Sequence, residues 1–178
     1  MKRLKTELEL PAGAISGEAG STKGVAAMDC VIKNVRLRKQ EGAWNVGLRN
    51  GRIAELSQGP VLGDEYIEAD GRLLTPGLVE THLHMDKTLT AGRIDWSMER
   101  PSRPKFREFQ ARVMAELKRS FTREDIRDRA LRLAKMASAA GTTAIRAQCD
   151  VDGLLNLTAI EALLEVKEEV RDLLDLQI

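Results

Sequence analysis

The sequence is poor in the residues that several kinds of function require. It contains two histidines, two cysteines and 3% aromatic residues in 178 positions. So few aromatic side chains leave little basis for stacking nucleic-acid bases. A formal net charge of +1, with basic and acidic residues interleaved, gives no overall attraction to a polyanion. We therefore expect no nucleic-acid partner.

Long apolar runs and paired cysteines are missing as well. No run of 18 apolar residues occurs, so the sequence predicts no membrane-spanning helix and no membrane partner. Cys30 and Cys149 lie far apart and do not form a CxxC pair. We interpret both as small buried hydrophobic residues of a cytoplasmic protein, in a reducing compartment.

The residue pattern divides the chain into three parts. Residues 1–27 are rich in Gly, Ala, Ser and Lys without periodicity, which is typical of a disordered tail. Residues 28–75 have the pattern of a small β subdomain, in which Asn50-Gly51 predicts a type I′ hairpin. Residues 76–178 alternate between strand and helix patterns. This alternation predicts an α/β fold with parallel βαβ units.

Apolar spacing and capping residues place the elements of the third part. Thr122 is the expected N-cap of a helix that ends at Gly141, because glycine tolerates the positive φ found past a helix C-terminus. The other predicted helices cover residues 105–119 and 157–170, and the predicted strands cover 142–149 and 174–178. The apolar residues of the last helix that we expect in the core are Leu157, Ile160, Leu163 and Leu164.

The two histidines of the chain lie two residues apart. His82 and His84 follow Pro76-Gly77 in a run with strand character, where side chains alternate between faces, so both imidazoles should point to the same side. Two neutral imidazoles converging from one strand can bind a divalent cation. An isolated His-x-His also occurs by chance as two solvated or packed histidines, so the flanking residues decide between the two interpretations.

Those flanking residues resemble a known family. Residues 73–88, LLTPGLVETHLHMDKT, look like the first barrel strand of the metal-dependent amidohydrolase superfamily. Glu80–Asp86, followed by residues 88–92, most resembles the cytosine deaminase branch, and the resemblance extends from about Asp29 to the last residue. In the second strand, Gln148 stands where that branch usually carries a histidine.

This resemblance implies a fold. We expect a partial (β/α)8 TIM barrel, comprising its first three strands, preceded by a small N-terminal β unit of the amidohydrolase β-sandwich type. A whole barrel takes about 250 residues, more than 76–178 supply, so we interpret the chain as an N-terminal fragment of such a hydrolase. The open edge of a truncated barrel would favour self-association.

The resemblance also implies a chemistry. His82 and His84 are the expected ligands of a divalent metal ion, zinc or iron, which lowers the pKa of bound water to about 7. The resulting hydroxide would attack the ring carbon of a C–N bond in a small heterocyclic substrate, as in a cytosine deaminase-like aminohydrolase. Asp86 either orients a ligand histidine or caps the loop. The proton shuttle is expected beyond Ile178, so we expect the chain alone to be inactive.

Two alternatives stay open from the sequence. The chain could derive from a related hydrolase of cyclic amides or triazines, because the residues that contact the substrate would come from later strands. It could also be a non-catalytic truncated remnant. Arg146, Gln148 and Asp150 alternate onto one face of the second strand, with Asp152 in the loop that follows. We assign Arg146 a structural role, while Gln148 and Asp150 stay unassigned.

Overall fold

The computed structural model describes residues 27–95, 97 and 105–178. Nearly all of the predicted tail, residues 1–27, lies outside the described part. The chain divides into two compact units, Met1–Pro76 and Gly77–Ile178. Among the described helices, none is long and apolar enough to cross a membrane.

The first unit is a five-stranded sheet. β1 pairs in antiparallel fashion with β2, which pairs in antiparallel fashion with β3, whereas β4 and β5 run parallel to β1. The strands are β1 (Met28–Leu37), β2 (Trp44–Arg49), β3 (Arg52–Ser57), β4 (Gly63–Glu68) and β5 (Leu73–Leu74).

The hairpin between β2 and β3 has the predicted turn. Asn50 and Gly51 take φ values of 53° and 70°, as both positions of a type I′ turn require. The backbone N–H of Asn50 donates to the Asp29 carboxylate at 2.6 Å. Val31 and Val46 are fully buried on this sheet. The turn chemistry thus favours the tight connection between β2 and β3.

The second unit is mixed α/β. Its three described strands are parallel in the order β6-β7-β8, and the predicted parallel pairing of the second strand with the histidine strand is confirmed. The elements are β6 (Leu78–His84), a 3-10 turn (Ala91–Arg93), α1 (Phe106–Lys118), α2 (Arg123–Ala139), β7 (Thr142–Gln148), α3 (Thr158–Glu169) and β8 (Asp175–Gln177).

Local signals set the bounds of α2. The Thr122 side chain accepts a hydrogen bond from the backbone N–H of Asp125, which confirms the predicted N-cap. Gly141 takes φ 93° immediately after the helix, as expected for its C-terminal glycine.

At the start of β6, a Cβ on Gly77 would lie 2.3 Å from the Thr143 side chain, so glycine permits the close approach of β6 and β7.

The core of this unit lies between the sheet and the helices α2 and α3. Leu163 is fully buried there as predicted, but Leu157 and Leu164 are 56% and 50% exposed, so their assignment to the core was wrong. Ala159 and Ala162 face the core instead. Small side chains on this face let α3 approach its neighbours closely, and the larger leucines flank the contact.

The two cysteines are less buried than the sequence suggested. Cys30 and Cys149 are both free thiols with intermediate exposure. Partial burial raises the pKa of the Cys149 thiol, and the nearby carboxylates of Asp86 and Asp150 act in the same direction. The thiol is therefore held protonated, in keeping with a packing role rather than a nucleophilic one.

Candidate functional site

The two histidines lie at the carboxyl end of β6. Their ring centroids are 5.3 Å apart with an interplanar angle of 76°, so both rings occupy the same side of the strand, as the alternation predicted. His84 is in register with Gln148 of β7, and the ladder between the two strands is irregular between Glu80 and Leu83. The His84 side chain is 42% exposed, which leaves its ring accessible to a ligand.

Asp86 follows the strand and is completely buried. Its Oδ2 accepts a hydrogen bond from the backbone N–H of Asp150 at 3.0 Å, which connects the loops that follow β6 and β7. Its Oδ1 has no hydrogen-bond partner among the described residues and lies 3.8 Å from Nδ1 of His84. One carboxylate thus caps the loop and also presents a free oxygen to the imidazole. Both sequence interpretations of Asp86 have a geometric basis.

Two lysines neutralise the carboxylates around this point. Lys87 Nζ lies 2.7 Å from Oδ2 of Asp150, and Lys118 Nζ lies 2.5 Å from the same oxygen. Lys118 also contacts Asp152 Oδ2 at 2.5 Å, although its own side chain is only 7% exposed. We call Lys87, Lys118, Asp86, Asp150 and Asp152 the sheet-end network.

The protonation of this network follows from its contacts. Burial tends to raise the pKa of Asp150, but hydrogen bonds from Lys118 and Lys87 outweigh it and the pKa is lowered. The hydrogen bond from Lys118, with two backbone N–H groups, lowers the pKa of Asp152 to about 2. Burial tends to lower the pKa of Lys118, yet its two carboxylate partners raise it. Lys118, Asp150 and Asp152 are therefore ionised near neutral pH.

The side chains at this end of the sheet fit a metal ion. Ligand atoms of His84, Asp86 and Asp150 lie within 4.8 Å of one another, so these three groups could hold a cation. Asp150 is already engaged by two ammonium groups, however, whereas His84 and Oδ1 of Asp86 are not. The unengaged donors of this group are therefore His84 and Oδ1 of Asp86; His82 is not in the group, and its ring centroid lies 5.3 Å from that of His84. Imidazole and carboxylate are ligand types that zinc and iron accept.

The other sequence candidates lie on β7 and in the loop that follows it. Arg146 donates to the Gln177 side chain at 3.1 Å, connecting β7 to β8, which supports a structural role. Gln148 is half-buried beside His84 in the ladder. Asp150 and Asp152 belong to the sheet-end network, where they hold lysine ammonium groups.

Sequence reasoning missed two residues at this site, Lys118 and Arg129. Both are buried cations on amphipathic helices and lie on the apolar face: Lys118 comes four residues after Met114, and Arg129 three residues after Ile126. A long basic residue on the apolar face of a helix was the available signal. It indicates a buried anionic or carbonyl partner.

Comparison with known proteins places these features in context. No family model matches the chain. The chain is 33% identical over 157 residues to N-isopropylammelide isopropyl amidohydrolase of Pseudomonas sp. (strain ADP), which covers 84% of this chain and 37% of that protein.

Solved structures also resemble the chain, and two of them are described. The 5-methylcytosine deaminase from Klebsiella pneumoniae liganded with phosphonocytosine superposes with a TM-score of 0.69 at 38% identity, covering 83% of this chain and 35% of that one. N-isopropylammelide isopropylaminohydrolase from Burkholderia multivorans ATCC 17616 superposes with a TM-score of 0.61 at 29% identity, covering 84% and 36%. The chain thus spans little more than a third of the length of these relatives.

Proposed function

The chain belongs to the amidohydrolase superfamily, and we propose that it contributes the first part of a metal centre that hydrolyses a C–N bond of a nitrogen heterocycle. In this proposal β6, β7 and β8 are the first three strands of a (β/α)8 barrel. Residues 28–75 form the β subdomain that precedes it. The catalytic groups of such barrels lie at the carboxyl ends of the strands, where His82, His84 and Asp86 are found.

One observation carries the proposal. His82 and His84 place two imidazoles side by side, and the buried Asp86 presents an unpartnered oxygen 3.8 Å from Nδ1 of His84. A buried carboxylate oxygen without a partner is costly, because it has lost its hydration. A histidine that binds a metal through one ring nitrogen commonly donates the N–H of its other ring nitrogen to such a carboxylate. This hydrogen bond fixes the tautomer of the ring.

Each residue has a defined task in this arrangement. His82 and His84 bind the divalent ion, zinc or iron, and Asp86 orients His84. Lys87 and Lys118 hold Asp150, so that the loop after β7 keeps its place beside Asp86. The chemistry that such an ion supplies when bound is activation of water as a nucleophile near neutral pH. Catalytic zinc usually has about three protein ligands, and the chain has only two histidines, so we propose that the isolated chain does not turn over substrate.

Two substrate classes are supported to different degrees. The similarity to 5-methylcytosine deaminase, at 38% identity, favours a cytosine-like aminohydrolase. The similarity to the two N-isopropylammelide hydrolases, at 33% and 29% identity, favours a related C–N hydrolase. We place the cytosine-like aminohydrolase first because its identity is higher. The related C–N hydrolase stays the alternative because the chain covers little more than a third of each relative.

Calorimetric titration of the untagged chain with zinc tests the metal centre. We expect one ion per chain to bind with modest affinity, since two imidazoles leave most coordination positions to water. His82→Ala, His84→Ala should abolish this binding. Glu168→Gln, on the exposed face of α3, is the matched control for weak binding by surface carboxylates and should not alter it. The loaded chain should release no ammonia from cytosine above background.

Equal zinc affinity in the double variant would overturn the assignment of His82 and His84. Ammonia release that is abolished by His82→Ala would leave the metal centre standing, but would show that two imidazoles from this chain suffice for catalysis.

A further inference from the structure

We propose that Arg129 is a positioning residue that fixes the loop after β6 and thereby holds Asp86 beside His84. The proposal rests on the proposed function, because its purpose is the geometry of the metal centre. Arg129 lies on α2 and its side chain does not reach the histidines. It acts through the backbone of residues 86–88.

The guanidinium contacts that loop directly. Nη1 of Arg129 donates to the carbonyl oxygens of Asp86 at 2.9 Å and Thr88 at 2.7 Å. The intervening carbonyl of Lys87 accepts from the Thr90 hydroxyl at 2.8 Å. Three consecutive carbonyl groups are therefore satisfied by side chains rather than by a strand or a helix. Without these donors the carbonyls would be left unpaired next to a buried side chain.

The loop conformation needs such support. Leu89 takes φ 56°, in the left-handed region that residues other than glycine rarely adopt. Conformations of this kind persist where the surrounding contacts determine them. Arg129 and Thr90 provide those contacts on the two residues before Leu89 and on Asp86.

Arg129 is itself held rigidly. Its Nε and Nη2 donate to Oδ2 of Asp125 at 3.1 and 2.9 Å, and its guanidinium lies 4.5 Å from the centroid of the Phe121 ring. Arg93 binds both carboxylate oxygens of the same Asp125, which fixes that carboxylate from the other side. The side chain is only 8% exposed. Every contact uses the planar, five-donor fork of arginine, which the point charge of a lysine does not reproduce.

The loop connects this arrangement to the site. Asp86 has its carbonyl bound by Arg129 and its carboxylate bound to the N–H of Asp150, while its other oxygen faces His84. Displacing the Asp86 backbone would therefore move the carboxylate away from the N–H of Asp150 and from the His84 ring. The amide of Asp150 reports this displacement without any metal present.

The test compares Arg129→Lys with Arg127→Lys. Arg127 lies two residues earlier on α2, where it forms surface ion pairs with Glu165 and Glu169. Hydrogen exchange of the Asp150 amide should accelerate strongly in Arg129→Lys, while the Ile145 amide in the middle of β7 exchanges as in the unmodified chain. The affinity for Co²⁺ should fall about tenfold. This is the lower end of the loss seen when a residue that hydrogen-bonds to a metal ligand is replaced. Arg127→Lys should change neither quantity.

Unchanged Asp150 exchange in Arg129→Lys would overturn the proposal, and so would equal acceleration at Ile145 and Asp150, which is the signature of a general loss of stability. If Arg129→Lys does not fold, Asp125→Asn, which weakens the anchor of the guanidinium, should produce the same selective change to a smaller degree. If the unmodified chain binds no Co²⁺, the proposed function fails, and the Asp150 amide alone still decides the role of Arg129.

Discussion

Two groups of ion pairs in the α/β unit use the same residue types and differ in what they hold. In the sheet-end network, Lys118 is only 7% exposed and contacts Asp150 and Asp152 in the loop after β7. The other group, which we call the helix ladder, joins α2 to α3 at the surface, with side chains between 34% and 51% exposed. The ladder consists of Arg123, Arg127, Glu161, Glu165 and Glu169.

The difference is one of solvation. Exposed pairs gain little because water and salt screen both charges, and holding two long side chains costs conformational entropy. A cation taken out of water depends on its partners, so removing one side leaves a buried charge uncompensated. The sheet-end network is thus expected to be sensitive to substitution, and the helix ladder is expected to tolerate it.

The largest expected effect is that of Lys118→Met. Loss of the ammonium leaves Asp152 with only its two backbone N–H donors, and Asp150 with Lys87 as its only cation. We expect a loss of about 2 kcal/mol in the free energy of unfolding, below the range for fully buried pairs because the carboxylates are partly exposed. Urea denaturation measures it. Lys167→Met, on the exposed side of α3, is the control, and an equal effect of the two substitutions would contradict the comparison.

Acid should remove the contribution of the sheet-end network. The pKa values of Asp150 and Asp152 are both lowered in the folded chain. For Asp150, burial acts upward, but the hydrogen bonds from Lys118 and Lys87 outweigh it. For Asp152, the hydrogen bonds from Lys118 and from two backbone N–H groups lower the pKa. The stabilisation is therefore present above the ordinary value of 3.8 and is lost as the pH falls toward about 2, the folded-state pKa of Asp152.

The raised pKa of Lys118 has the opposite consequence at high pH. Its contribution is present below the ordinary value of 10.5 and is lost as the pH rises through the higher folded-state pKa. The difference in unfolding free energy between the unmodified chain and Lys118→Met should therefore be constant from about pH 5 to 10 and shrink below pH 4. A difference that stays constant down to pH 2 would show that packing of the lysine stem, not its charge, is responsible.

The smallest expected effect is that of Arg127→Met in the helix ladder. Arg127 contacts Glu165 and Glu169, and all three side chains are at least a third exposed. We expect a change within about 0.5 kcal/mol, and less in high salt. Urea denaturation with and without added sodium chloride measures it, and a salt-independent loss as large as that of Lys118→Met would erase the distinction between the two groups.

Much of the fold could be predicted because its signals are local. Asn50-Gly51 specifies the turn, Thr122 and Gly141 delimit α2, and alternation orders the parallel strands. The core face of α3 was predicted less well, because Leu157 and Leu164 are hydrophobic but exposed, whereas the alanines that pack closely carry a weak signal. Helix spacing alone does not say which side of an apolar stripe faces the sheet.

The site divides in the same way. The placement of His82 and His84 on one side of β6 could be predicted from strand alternation, and Asp86 follows them directly in the sequence, whereas their roles in a metal centre stay a prediction. Lys118 and Arg129 were not, since their partners Asp150, Asp86 and Thr88 lie more than thirty residues away in sequence. The run of charged residues at 123–125 has the composition of a solvated helix face. Arg123 and Glu124 are exposed, but Asp125 is half-buried and binds Arg93 and Arg129.

X-ray absorption at the zinc edge tests the central claim most directly, because it counts imidazole ligands without requiring activity. With one equivalent of zinc on the untagged chain, the spectrum should contain the outer-shell scattering of two imidazoles with Zn–N distances of about 2.0 Å, and oxygen ligands in the remaining positions. His82→Ala, His84→Ala should remove the imidazole scattering. A first shell made only of oxygen in the unmodified chain, identical in the double variant, would contradict the assignment of a metal centre to β6.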